Sequence, residues 1–165
     1  MRLPALVASV LLPAAFLTSC ESLDDDRIPP MPVNIVFQSV GMWESYGVPG
    51  ATDYRRFILQ KKLPAGFPYT ALSYTGFGGV LLVADILGDP QAFDLSCPVE
   101  ARQDIIVNID RETNLARCPE CGSEYDVFSN YGTPVSGPAV TRHYALTRYH
   151  VNRGSTALEY IVVTR

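Results

Sequence analysis

Short segments rich in β-branched and aromatic residues recur along this chain, separated by loops that carry glycine and proline. Such segments favour extended strands, and such loops favour turns. The segments expected to form strands are residues 33–40, 54–59, 79–84, 104–109, 125–128, 144–151 and 157–163. No helical period longer than about two turns and no internal repeat accompany them. The pattern predicts an all-β fold, either an antiparallel β-sandwich or a small barrel.

The first residues have the pattern of an export signal. Arg2 supplies a minimal basic region, and the apolar run at 3–16 is too short and too interrupted by proline to span a bilayer. The run ends in Leu17-Thr18-Ser19-Cys20, which resembles the lipobox of bacterial lipoproteins. The resemblance implies a signal peptide at 1–19 and acylation of Cys20. The alternative is an ordinary secretory signal in which the cysteine falls at this position by chance.

Acylation would hold the protein on a membrane of the cell envelope, since two or more acyl chains anchor a protein stably. Residues 20–32 contain Asp24, Asp25 and Asp26 and several prolines, a composition that favours an extended tether with no reason to pack. At about 3.1 Å per residue, such a tether would hold the domain on the order of 35 Å from the bilayer. The acidic residues also resemble the surface-export signal of some bacterial lipoproteins. The protein could therefore face the periplasm or the cell surface.

Residues 33–165 have the length of a single domain. The net charge is −4, and no basic cluster interrupts the acidic balance, so a nucleic-acid partner is not expected. No second long apolar run follows the first, and 47% of the residues are hydrophobic, enough for a substantial core.

Three cysteines remain besides Cys20: Cys97, Cys118 and Cys121. An odd number cannot all pair within one chain in an oxidising compartment. The C-x-x-C spacing of Cys118 and Cys121 suits a reactive dithiol, half of a metal site or a disulfide loop. A thioredoxin-like dithiol requires a helix N-terminus in a βαβ unit. The strand and turn residues around this pair disfavour that function.

Four motifs in order resemble a Rieske iron–sulfur domain, over about residues 79–163. They are Cys97-Pro98-Val99-Glu100, Cys118-Pro119-Glu120-Cys121-Gly122-Ser123, Tyr125-Asp126 and Gly137-Pro138-Ala139, which a final hairpin follows. The resemblance implies a Rieske-like β domain with two cysteine loops at one end. It also implies a [2Fe–2S] cluster, an electron-transfer role with a redox partner, and a Ser123 hydroxyl that donates to a cluster sulfur.

The ligand set departs from the Rieske pattern, in which two cysteines hold one iron and two histidines hold the other. Cys97 and Cys118 keep the cysteine positions, whereas Val99 and Cys121 stand at the histidine positions. Valine cannot ligate a metal, so Glu100, one residue further along, becomes the candidate fourth ligand.

The chain's two histidines, His143 and His150, are expected to be surface or core residues rather than ligands. Their odd spacing on a strand directs them to opposite faces.

Two functions from different classes therefore remain. In the first, Cys97, Cys118 and Cys121, with Glu100, bind an iron–sulfur cluster or zinc, since thiolates suit both. In the second, no metal binds, and a disulfide such as Cys97–Cys118 staples the two loops of a binding or structural module. An enzyme is not expected, because no two-histidine iron site, G-x-S-x-G elbow or zinc-protease helix is present.

Two other features of the sequence are considered as binding sites. The glycine-rich stretch 76–79 precedes a strand and opens no helix, so a phosphate-binding loop is not predicted. A group of aromatic residues consists of Trp43, Tyr46, Tyr54, Tyr69 and Tyr74. These side chains suit core and loop packing, or a carbohydrate- or peptide-binding face.

Overall fold

Antiparallel strands dominate the described part of the chain, residues 22–156 and 159–165 of this computed structural model. The strands are β1 (Val33–Phe37), β2 (Tyr54–Phe57), β3 (Tyr74–Thr75), β4 (Val80–Ala84), β5 (Pro90–Asp94), β6 (Asn108–Asp110), β7 (Leu115–Arg117), β8 (Glu124–Asp126), β9 (Thr133–Ser136), β10 (Arg148–Arg153) and β11 (Ile161–Thr164). The helices are α1 (Val40–Tyr46), a 3-10 turn at Leu59–Lys61 and α2 (Pro138–Arg142).

The strands form two sheets, and neighbouring strands within each sheet pair antiparallel. The larger sheet has the order β2-β4-β5-β10-β11-β1-β3, and the smaller has the order β6-β7-β8-β9. The backbone N–H of Leu59, just after β2, donates to Oγ1 of Thr75 in β3, so the two edges of the larger sheet approach each other. This nearly closed barrel confirms the all-β prediction.

The two hydrophobic cores lie on opposite sides of β4, which is buried on both faces. Because successive side chains of a strand alternate in direction, Leu81 and Val83 enter one core while Leu82 enters the other. The first core fills the space between the sheets and includes Cys97 and Cys118. The cysteine loops are therefore built on one end of a packed core.

The second core is aromatic. Trp43 is buried with its ring edge-on to Phe37 at a centroid distance of 4.9 Å, and Phe67 makes similar contacts with Tyr46 at 5.6 Å and Tyr69 at 4.8 Å. Such edge-to-face pairs add stability beyond the buried area.

Tyr54, the fourth packed member of the aromatic group, lies against the first core. Tyr74 is 46% exposed. The aromatic group predicted from sequence is therefore mainly packing, and Tyr74 is its one member with a largely exposed side chain.

The glycine-rich stretch 76–79 binds a carboxylate of the protein itself. The backbone N–H groups of Phe77 and Gly78 donate to the buried Asp94 at 3.0 and 3.1 Å, and the Tyr149 hydroxyl donates to the same carboxylate. These amides are already satisfied, which agrees with the prediction that the stretch does not hold a phosphate. The bonds fix the end of β5, where the first cysteine loop begins.

Several strands begin or end at residues other than the predicted ones. The strand expected at 33–40 stops at Phe37, because the Ser39 hydroxyl accepts from the Met42 N–H at 3.2 Å and caps α1. The strands expected at 104–109, 125–128 and 144–151 are displaced by up to four residues, to β6, β8 and β10. For the strand expected at 157–163, residues 157–158 lie outside the described ranges, and β11 covers the end of that segment.

The stretch predicted to be a free tether packs against the domain. The N–H of Asp24 donates to the His143 carbonyl at 2.7 Å, and the Ala145 N–H donates back to the Asp24 carbonyl at 2.9 Å. The Thr147 hydroxyl donates to the carbonyl of Asp25 at 2.6 Å. Ile28 is 1% exposed. The prediction of an unpacked stretch is wrong here, because the backbone finds partners and Ile28 supplies an apolar side chain to bury.

Among the described residues, no helix is both long and apolar enough to cross a membrane.

Candidate metal centre

Three thiols from two loops meet at one end of the first core. Cys97 lies just after β5, Cys118 just after β7, and Cys121 in the turn between β7 and β8. The three sulfur atoms all lie within 4.8 Å of one another. Cys97 and Cys118 are fully buried, whereas Cys121 is partly exposed. The loops expected to meet in space do so.

The second loop is a tight turn closed by its own backbone. The Cys118 N–H donates to the Ser123 carbonyl at 2.9 Å, and the Gly122 N–H donates to the Cys118 carbonyl at 3.1 Å. Gly122 has φ +71°, a left-handed conformation that glycine adopts without strain. The N–H groups of Cys121 and Glu120 also face the Cys118 sulfur and favour its thiolate form.

The first loop is fixed in a similar way. The N–H of Cys97 donates to the Ile105 carbonyl at 3.0 Å, and the Ala101 N–H donates to the Cys97 carbonyl at 2.8 Å. Glu100 directs its backbone N–H at the Cys97 sulfur. Its carboxylate is not among the mutually close ligand atoms of the described residues. Val99 packs its half-buried side chain against the first core.

Two hydroxyl groups contact the sulfur atoms. The Tyr125 hydroxyl lies 3.5 Å from Sγ of Cys97, and the Cys121 thiol donates to Oγ of Ser123 at 3.2 Å. The Ser123 oxygen also accepts from the backbone N–H of Ala139 at 3.1 Å. When Cys121 is a thiolate, the bond between Cys121 and Ser123 reverses, because the serine hydroxyl then holds the proton and donates it to the sulfur. The contact shown by the structure is with the Cys121 sulfur; donation to a cluster sulfur stays a prediction.

Gly137 allows α2 to begin directly over Ser123. A Cβ atom at position 137 would lie 2.8 Å from Cα of Ser123, and the residue has φ +76°. Both the space and the backbone conformation exclude other residues without strain. The Gly137-Pro138-Ala139 motif therefore delivers the Ala139 N–H to the serine oxygen.

Burial keeps the thiols of Cys97 and Cys118 protonated. It raises the pKa of Cys97 to about 12, against the opposing effects of the Tyr125 hydroxyl and the Glu100 N–H. Burial likewise raises the pKa of Cys118. It also raises the pKa of Tyr125, and the neighbouring Cys97 raises it further, so the tyrosine keeps its proton as a donor. A cation that binds here must displace thiol protons.

One of the sulfur–sulfur distances matches that of a tetrahedral metal site. With zinc–sulfur bonds of about 2.3 Å, two ligands of a tetrahedral site lie about 3.8 Å apart. The sulfurs of Cys97 and Cys121 are 3.7 Å apart. Three thiolates would leave one coordination position of such an ion for a further ligand.

The histidines lie outside the cysteine group. His143 caps the end of α2, and His150 is exposed in β10, opposite Thr164 of β11. Neither belongs to the group of close ligand atoms found among the described residues. This agrees with the sequence-based expectation, although His143 is at a helix end rather than in a strand.

The three described cysteines are free thiols, so the structure contains no Cys97–Cys118 disulfide. Cys20 lies outside the described residues. Sequence reasoning did not find the contact between Tyr125 and Cys97, although the Tyr-Asp motif after Ser123 was a signal for it.

No family model, curated protein or solved structure matches the chain. The Rieske resemblance therefore depends on the residues themselves.

Proposed function

We propose that this chain is a lipid-anchored protein of the cell envelope that binds a metal through Cys97, Cys118 and Cys121. The observation that carries the proposal is the convergence of three sulfur atoms within 4.8 Å from loops far apart in sequence. The anchor is proposed from the lipobox-like residues that end at Cys20. Thiolates bind zinc and iron tightly, and two of the three lie inside a core that excludes water.

A single ion fits this site best. The 3.7 Å between the sulfurs of Cys97 and Cys121 matches one edge of a tetrahedral site. In a Rieske-type arrangement these two residues would instead bind different irons. A mononuclear tetrahedral site would need a fourth ligand. Glu100 could supply that ligand if its side chain turned inward.

A two-iron cluster with an electron-transfer role is the second candidate. It is favoured by the hydroxyl groups of Tyr125 and Ser123, which contact the sulfurs of Cys97 and Cys121. Hydrogen bonds to cluster sulfurs stabilise the charge added on reduction and so tune the potential. A zinc site has no redox chemistry for such donors to tune.

Metal analysis of protein purified without oxygen tests the proposal. We expect about one equivalent of zinc or iron in a mononuclear site, and iron with acid-labile sulfide if a cluster forms. Cys121→Ser should lose the metal. Cys20→Ser, the same chemical change outside the triad, should keep it. Wild-type protein with less than about a tenth of an equivalent of either metal would contradict the proposal.

A further inference from the structure

The packed position of residues 24–28 leaves little free chain between the domain and Cys20. The backbone N–H of Asp24 donates to the carbonyl of His143, and the carbonyl of Asp24 accepts from the N–H of Ala145. Asp26 forms an ion pair with Arg165 at 2.9 Å, and Arg27 stacks on the Tyr144 ring at 4.7 Å. From Cys20 to Asp24 the chain can extend about 14 Å at most. A lipid on Cys20 would therefore hold this face of the domain close to the bilayer.

The cysteine corner, defined as Cys97, Cys118 and Cys121, is connected to the same face through α2. The partner of Asp24, His143, ends α2, a helix about 7 Å long. At the other end of α2, the Ala139 N–H binds Ser123, whose oxygen accepts from the Cys121 thiol. This short series of contacts places Cys121 within about 20 Å of Asp24.

Exposed apolar side chains lie in α2, in the strand before it and next to the packed residues. Val140 in α2 is 41% exposed, and Val135 in the adjacent β9 is 46% exposed. Leu23, directly before the packed residues, is also exposed. An apolar surface of this kind suits the boundary between lipid headgroups and acyl chains, where amphipathic elements bind.

We infer that the α2 face of the domain, defined as residues 24–27 and α2 with the adjoining β9, lies on the bilayer surface to which Cys20 is anchored, with the cysteine corner on that side of the domain. The inference rests on the lipid anchor of the proposed function and adds the orientation of the metal centre. It differs from the long tether predicted from sequence, which would let the domain rotate freely far from the lipid. A membrane-facing centre exchanges its metal or electrons with molecules in or on that bilayer.

Lipid-borne quenching of a site-specific fluorophore measures the orientation. The full-length lipidated protein is reconstituted in phosphatidylcholine and phosphatidylglycerol vesicles that contain a nitroxide-labelled lipid. A fluorescent amino acid replaces Val140, or Glu112 in the control. Glu112 is exposed in the turn between β6 and β7, at the end of that hairpin away from Cys118. Val135 offers a second test position on the α2 face.

We expect loss of fluorescence at positions 140 and 135 and little loss at position 112. A flexible Gly-Ser insert between Ser22 and Leu23 leaves the packed residues intact and should abolish the difference. Equal quenching at all positions in protein that floats with the vesicles would overturn the orientation alone. Protein that does not float would overturn the anchor, and the orientation with it. Metal content, measured on the same sample, tests the cysteine centre independently.

Discussion

The Tyr125 hydroxyl and the Cys97 sulfur face each other at 3.5 Å inside the core, where neither is exposed to solvent. The tyrosine lies in β8 of the smaller sheet, whereas the cysteine follows β5 of the larger one. A hydroxyl in this position stabilises a thiolate that water cannot reach. Tyr125 would therefore contribute to a metal centre at these thiols as well as to the core.

Replacement of Tyr125 by phenylalanine should weaken metal binding about tenfold, since a hydrogen bond to a charged group contributes about 1.5 kcal/mol or more. The ring remains and should keep the core filled. Tyr149→Phe is the matched control, because it removes a buried hydroxyl that contacts Asp94 rather than a sulfur. Competition with a chelator gives the affinities. Equal losses in the two variants would show that the Tyr125 hydroxyl acts only on stability.

Metal affinity should rise with pH between about pH 6 and 8. The raised pKa of Cys97, about 12 because of burial, keeps this thiol protonated throughout that range. Each proton that the metal displaces makes binding about tenfold tighter per pH unit. Chelator competition at several pH values, or proton release measured by calorimetry in buffers of different ionisation enthalpy, tests this. An affinity that does not change with pH would mean that the bound sulfurs are already thiolates in the metal-free protein.

Gly137→Ala should lower the free energy of unfolding by about 2 kcal/mol or more. The new methyl group would meet Cα of Ser123 at 2.8 Å in a left-handed backbone conformation. Gly41→Ala in α1 provides the control, since nothing lies within 4 Å of the added atom, and alanine there should be neutral or stabilising. Urea unfolding of the two variants makes the comparison. If Gly137→Ala had the same free energy of unfolding as the wild type, α2 would not need glycine at this turn.

A redox titration separates the cluster from the single ion. If a [2Fe–2S] cluster forms, Cys121 replaces a neutral imidazole with an anionic thiolate, and the potential should lie near the plant-ferredoxin value of about −400 mV. It should change little with pH, because no ligand imidazole loses a proton. Cys121→His should raise the potential and make it pH-dependent. A positive, pH-dependent potential in the wild type would instead mean that His143 or His150 reaches the cluster.

The cysteine site could be predicted from sequence because its parts are local motifs. The C-x-x-C turn and the Gly137 motif carry their backbone requirements in adjacent residues. The alternation of short apolar segments likewise predicted the β architecture.

Other features depend on contacts distant in sequence. The strands β5 and β9 contain Pro90 and Pro134, residues that weigh against a strand until neighbouring strands are known. The direction of the Glu100 side chain and the packing of Ile28 are decided by tertiary structure. Composition alone does not show either of them.

Strand β4 belongs to both cores, with Leu81 on the side of the cysteines and Leu82 on the side of the aromatic cluster. The two halves of the domain therefore share one wall, and neither can lose its packing without uncovering the other. Free energy gained when a metal binds at the cysteine corner is then distributed to the aromatic half as well. If a metal binds at the cysteine corner, its loss should therefore change the fluorescence of Trp43, which lies in the aromatic core.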